Sequence, residues 1–412
     1  MEFTKVYDNG LKLIIKKMEG LLSVSTGIFV RTGSRDETSQ NNGISHFIEH
    51  MLFKGTKNRT AFEISDHIDR IGSNINAFTS KEMTCFYTLS TFEHQEETFE
   101  ILSDIFLNST FLPEEIEREK GVVIEEINMT EDAPDEVCLD LLSTAFYQDK
   151  GLGMTILGPI ENIQKFTQAD IFKYMAERYT PDNVVISVAG AVDIDKTVEM
   201  VDKYFSALTG KVRDTVQCEN QPTYTQSLAK NKDIEQVHIA FSLPAYPYGD
   251  KRLNALSIAN VVLGGGMSSR LFQKVREELG LCYTVYSYSS AYLGNGKMEI
   301  YSAVNPSKVN DAIKAIKAEV EKFYENGITE SEFLRGKEQM KSAFILSQES
   351  TSSQMKIYGK QFLMMGEVFD FKKKIDEFNA ITLDEVNAVI KEVFDISKCA
   401  YAIVGKGVQP IK

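Results

Sequence analysis

The chain has 412 residues, 43% hydrophobic and 25% charged, with a formal net charge of −14. That length exceeds one ordinary core and suits two domains of about 200 residues each. The negative balance argues against a nucleic-acid partner, which needs clustered Lys and Arg, and no apolar run approaches the ~18 residues of a membrane span.

Taken in chain order, Asp8-Asn9-Gly10 predicts a hairpin turn into an extended Leu11–Ile15. A strand follows through Val24–Val30, then a polar loop containing Gly33, Ser34 and the run 37–42, then a helix over Gly43–Phe53. Ile75–Ser90, rich in Thr, Phe and Tyr, reads as extended. Helices are expected over 92–106 and 114–129, the second opened by Pro113. Tyr179–Asn183 breaks the chain before the apolar run Val184–Ala189, closed by Gly190.

The second half repeats this order. Val237–Leu243 matches Val24–Val30 in character, Leu253–Leu263 matches Gly43–Phe53, and Tyr283–Tyr292 with Lys297–Val304 stands in the place of Ile75–Ser90. Ala400–Val404 before Gly405 mirrors Val184–Ala189 before Gly190. The order holds while residue identity does not, so the chain reads as an α+β fold of two tandem homologous domains. Each is expected to be a mainly antiparallel sheet with helices on one face. The polar, aperiodic stretch 211–230 reads as a linker between domains at 1–210 and 231–412. No GxGxxG follows a strand, and Gly264-Gly265-Gly266 lacks the Lys-Ser/Thr of a phosphate loop, so a dinucleotide or P-loop site is not expected.

Five cysteines, Cys85, Cys138, Cys218, Cys282 and Cys399, are scattered, odd in number and form no CxxC pair. They read as buried or inert thiols in a reducing cytoplasm. The start, Met1 to Lys5, shows no basic segment leading into an apolar one, so no secretory signal is expected.

Chemistry concentrates in His46-Phe47-Ile48-Glu49-His50, which holds two of the five histidines. On a helix, residues i and i+4 lie on one face, so both imidazoles can reach one metal ion. Glu49 borders that face and can reach a water at the metal without ligating it. Zinc suits imidazole and carboxylate donors with one position left open, which makes Glu49 a candidate general base. The bland alternative is a pair of surface histidines on an amphipathic helix. A third ligand is needed. Glu119 and Glu126 are two helical turns apart and share a face, with Val122 and Val123 between them; Glu125 competes with Glu126, and a solvated acidic helix explains the same pattern.

The HxxEH order resembles the inverzincins of the pitrilysin and mitochondrial processing peptidase family. The resemblance implies a zinc-ligating Glu 76 positions after His50, which here is Glu126, and a supporting Glu seven positions earlier, Glu119. Asn74-Ile75-Asn76-Ala77-Phe78-Thr79-Ser80 looks like the family's edge strand, which pairs with a substrate backbone through main-chain hydrogen bonds, with Asn76, Ala77 and Phe78 as the substrate-binding residues. Arg276 and Tyr283, seven apart, match an Arg and a Tyr that close on the substrate from the second domain, the Tyr toward the developing oxyanion and the Arg toward a substrate carbonyl or an interdomain carboxylate. The second half carries no HxxEH, so one zinc ion per chain is implied.

The resemblance spans essentially the whole chain, and its length matches the short bacterial type. It implies a cytoplasmic zinc endopeptidase in a homodimeric clamp around a chamber, cleaving short or extended peptides. The charge hints at basic ones. The competing readings are a partner subunit without activity and a zinc-holding module without turnover; the presence of His46, Glu49, His50 and Glu126 together favours the enzyme.

Overall fold

The computed structural model describes residues 1–212 and 220–411. Strands β1 (Glu2–Val6), β2 (Lys12–Lys17) and β3 (Ser23–Val30) lead into helices α1 (Ile44–Met51) and α2 (Ala61–Arg70). Then come β4 (Asn74–Thr79), β5 (Thr84–Thr91), α3 (Gln95–Asn108), α4 (Pro113–Glu131) and α5 (Pro134–Tyr147). The short α6 (Ile160–Ile163), α7 (Gln168–Arg178), β6 (Val184–Gly190) and α8 (Ile194–Phe205) complete the first half. The second half opens with β7 (Ser227–Asn231), β8 (Val237–Pro244), α9 (Leu253–Gly264), β9 (Cys282–Tyr292) and β10 (Asn295–Val304). It closes with α10 (Val309–Asn326), α11 (Glu330–Ser347), α12 (Thr351–Met365), α13 (Phe371–Ala380), α14 (Leu383–Val393) and β11 (Ala400–Gly405).

These elements form two compact units, each assembled from separated stretches. The first takes Met1–Ile127, 155–212 and Leu346–Phe369; the second takes Asn128–Met154, 220–345 and 370–411. Helix α5 therefore packs in the second unit and α12 in the first, which a single cut at 211–230 does not describe. Of that stretch, residues 213–219 lie outside the described residues, and Ser227–Asn231 is a strand paired with β11 rather than linker.

The first unit is a six-stranded sheet in the order β1-β2-β6-β3-β5-β4. Its neighbours are antiparallel except β2 and β6. The second unit is a five-stranded sheet, β7-β11-β8-β10-β9, with β7 and β11 its parallel pair. With β1 set aside, the two orders superpose strand for strand, including the position of the parallel pair. The duplication read from element order is thus a duplication of topology.

Local chemistry explains the boundaries. In the first hairpin, the Leu11 amide donates to Asn9 Oδ1 at 3.1 Å, and Gly10 takes a φ of 97° that a side chain would resist. The run Ile75–Ser90 is two strands rather than one. It turns at Ser80–Met83, where the Ser80 amide donates to the Met83 carbonyl at 2.8 Å.

The expectation of helices on one face needs correction: each sheet is covered on both. Val24, Ile28 and Val30 of β3 enter a core shared with α1 and α3, while Phe29 enters a second cluster with Met355, Tyr358 and Phe362 of α12. Glycines at Gly27 and Gly359 let α12 approach, since a Cβ on either would collide with Met355 or Phe29. In the second unit, Val137, Cys138 and Leu142 of α5 cover Ala240, Tyr301 and Ala402 in the same way. Central strands buried on both faces lose the strict apolar-polar alternation, which is why β3, Ser-Val-Ser-Thr-Gly-Ile-Phe-Val, gives so little sign of a single buried face.

Candidate metal centre and sheet edge

Helix α1 is held from below and from its start. Ile44, Phe47, Ile48 and Met51 are buried in the core. The buried Glu37 carboxylate accepts from the amides of Gly43 at 2.8 Å and Ser45 at 2.9 Å, and from the Asn42 side chain at 2.8 Å. A carboxylate on the unsatisfied first-turn amides complements the helix dipole and fixes the helix in rotation. Tyr174 adds a clamp, its hydroxyl lying 2.9 Å from Ser45 Oγ and 2.7 Å from Thr32 Oγ1.

That rotation turns His46 and His50 to one side, their ring centres 4.6 Å apart. Helix α4 meets them with the other half of the set. Ile116, Glu119, Val123 and Ile127 form its buried face, and Glu126 lies at the margin of that face with 42% of its side chain exposed. Glu126 Oε2 is 3.6 Å from His46 Nε2 and 3.3 Å from His50 Nε2. Among the described residues, His46, His50 and Glu126 are the cluster whose donor atoms converge, all within 4.8 Å of one another. Glu125 is exposed and outside it.

Donors on a tetrahedral zinc, at about 2.0–2.1 Å each, sit about 3.3 Å apart, so this spacing fits the ion with little movement. The donor chemistry fits as well. Burial, and then the neighbouring His50, hold His46 neutral by lowering its pKa to about 3; a neutral imidazole is the ligating form. His46 Nδ1 is buried without a hydrogen-bond partner among the described residues.

His50 Nδ1 lies 2.8 Å from Glu119 Oε1, and the second oxygen of Glu119 is 2.6 Å from Lys54 Nζ. Burial opposes charge on Glu119, but the His50 hydrogen bond and Lys54 outweigh it and hold the carboxyl below its usual range. An ionised Glu119 accepts the Nδ1 proton of His50 and leaves Nε2 for a metal.

Glu49 stands beside this set. The Thr79 hydroxyl donates to its carboxylate, and burial raises its pKa above the ordinary value. Thr79 ends β4, so one hydrogen bond ties the acid to the sheet edge. Asn76, Ala77 and Phe78 occupy the middle of that strand, which has no neighbour on its outer side among the described residues. Arg276 and Tyr283 belong to the second unit. Arg276 lies on a π-helical turn over Phe272–Glu278, and Tyr283 follows at the start of β9. The guanidinium is 4.9 Å from the centre of the Tyr283 ring, which is 75% exposed.

The roles of Glu37, Lys54 and Thr79 were not evident from the sequence. Lys54 lies beyond the end of α1 at Met51, so helical spacing did not align it with the histidines. Glu37 carried only the weak signal of an acid shortly before a helix start. Thr79 carried none, because its partner comes from another element.

Of the described cysteines, Cys85, Cys138 and Cys399 are buried and Cys282 is half-buried, all as free thiols; Cys218 lies outside the described residues. No described helix is long and apolar enough to cross a membrane.

Residues 14–160 match the family model for insulinase, peptidase family M16, and residues 165–340 match the model for the peptidase M16 inactive domain. The chain is 42% identical over 386 residues to the uncharacterized zinc protease YmxG of Bacillus subtilis, covering 94% of each chain. It is 34% identical to an uncharacterized zinc protease of Streptomyces coelicolor, over 93% of this chain and 85% of that one. A protease structure from Helicobacter pylori superposes with a TM-score of 0.90 at 22% identity, covering 98% of this chain and 99% of that one. A peptidase M16 inactive domain structure from Pseudomonas fluorescens does so with 0.91 at 18% identity, covering all of both chains. The two structures speak to the fold alone.

Proposed function

Because this chain belongs to peptidase family M16, as a short bacterial-type member, we propose that it is a zinc-dependent endopeptidase acting on short or extended, unfolded peptides. The observation that carries this is the convergence of His46, His50 and Glu126 beside a half-buried Glu49. In this reading the first three hold one zinc ion per chain. Zinc bound there acidifies water and polarises a peptide carbonyl. Glu49 takes a proton from the attacking water and passes it to the leaving amine. Burial favours its taking that proton, and the Thr79 hydroxyl fixes which way it faces.

Glu119 orients His50 through Nδ1, and Lys54 keeps Glu119 charged. The outer edge of β4 at Asn76, Ala77 and Phe78 pairs with the substrate main chain, which explains a taste for extended peptides over folded proteins. Arg276 and Tyr283 are assigned to the substrate as well. The phenol serves the oxyanion that develops at the carbonyl, and the stacked guanidinium holds a substrate carbonyl. The net charge favours basic peptides, and a homodimer in the cytoplasm completes the reading.

The test is hydrolysis of a quenched fluorescent, unstructured, basic peptide by purified protein. It is run untreated, after chelation, and after stoichiometric zinc is returned. Cleavage should vanish with chelator and return with zinc. A folded, zinc-loaded protein that cleaves no peptide would overturn the enzyme reading in favour of a partner subunit.

A further inference from the structure

The edge strand β4 has two sides, and the proposed chemistry uses one. Ile75 and Ala77 pack toward the core that contains α1, and Thr79 on the same side reaches Glu49. Asn74, Asn76 and Phe78 alternate to the opposite side, where Phe78 packs with Met83, Cys85 and Tyr87 in the cluster that α12 completes. Lys356 of α12 ends at this place. Its ammonium lies 4.6 Å from the centre of the Tyr87 ring and 5.5 Å from that of Phe78, the two rings being 6.3 Å apart.

Those rings are its partners. Lys356 makes no ion pair or hydrogen bond among the described residues, unlike Lys54, Lys230 or Lys297, each of which meets a carboxylate within 3 Å. The acid at the β4–β5 turn, Glu82, is engaged by Arg35. A half-exposed cation held over two aromatic faces keeps its charge and its direction while leaving its own donors free. It sits one strand in from an open edge.

A peptide that adds to β4 continues the pleat, so its side chains alternate between the α1 side and the α12 side. Those on the α12 side come beside Asn76 and Phe78, within reach of the four-carbon stem of Lys356. We propose that Lys356 is a specificity-determining residue that favours an acidic side chain at alternate positions of the bound peptide. This rests on the reading that β4 pairs with substrate. The overall negative charge draws basic peptides, and Lys356 sets a local exception to that preference.

The experiment reads binding and cleavage separately. Fluorescein-labelled, uncharged, extended peptides carry a single Glu moved one position at a time, and anisotropy gives Kd for the zinc-loaded Glu49→Gln protein. Binding should tighten about two- to fivefold, the range of an exposed ion pair, at the two alternate positions that fall beside Asn76 and Phe78 and not at the position between them. The pattern should vanish in Lys356→Gln, persist in Lys356→Arg, favour Lys over Glu in Lys356→Glu, and fade at about 0.5 M salt.

A Kd indifferent to position, or a pattern unchanged by Lys356→Gln, would show that the lysine serves only to pack α12. Cleavage of the same peptides by the wild type, with and without chelator, runs alongside. Zinc-dependent cleavage without the alternating pattern sinks this inference alone. The alternating pattern without cleavage sinks the enzyme reading and leaves the inference standing. Failure to bind any peptide overturns both.

Discussion

Glu49 differs from its neighbours in the HxxEH run because it reaches the site without joining the converging donor set. Glu49→Gln keeps an oxygen for the Thr79 hydroxyl but cannot take a proton. Peptide hydrolysis should fall about 10²- to 10⁴-fold, while metal analysis still finds one zinc per chain; loss of zinc as well would make Glu49 a ligand instead of a base. Glu119 acts one bond further out, on His50 Nδ1. Glu119→Gln should weaken zinc about 10- to 100-fold in a competition titration with a chelating dye, with activity returning in excess zinc. Unchanged zinc affinity would leave Glu119 a buried partner of Lys54 and nothing more. At this scale His46 and His50 were legible because both sit on one short helix, where spacing alone sets direction. Glu126 needed the family resemblance, since spacing did not separate it from Glu125. Thr79 was hidden because its hydrogen bond joins strand to helix across 30 residues.

At the level of elements, the loop between β3 and α1 does more than its polarity suggests. Burial raises the Asp36 carboxyl to about 6 against the pull of Arg178 and Arg31. The folded chain therefore holds this proton more tightly than the unfolded chain, whose Asp titrates near the ordinary 3.8. Between about pH 4 and 6 the native state binds more protons, so Asp36 favours folding as pH falls through that window and disfavours it above. Urea midpoints of the wild type, taken relative to Asp36→Asn, should rise from pH 7 to pH 4.5. A constant difference would show that the loop does not raise the Asp36 carboxyl. Helix α12 invites a second test. Gly359 lies against Phe29, and Gly359→Ala should cost about 1–3 kcal/mol in denaturant unfolding by overpacking that contact. The existence of most elements was legible, from apolar runs and from Gly and Pro punctuation. The second layer on each sheet was not, because α5 and α12 are supplied from stretches distant in sequence.

For the whole molecule, a homodimer should appear by light scattering at about 93 kDa, twice the 46.4 kDa of one chain; a mass of one chain at micromolar concentration would remove the pairing from the proposal. The order of residues along the chain was enough for the paired imidazoles and for the duplicated plan. A helical period places two imidazoles together without help from the rest of the chain, and recurring apolar runs reveal repeated elements even after residue identity has drifted. Tertiary structure alone decided how Glu126 meets the histidines, how Glu37 and Tyr174 set the rotation of α1, and how Thr79 and Lys356 come to stand on opposite sides of one strand. The reason is physical. Each of those contacts joins groups whose separation is fixed by packing between elements, and pattern within a single element carries no information about that distance.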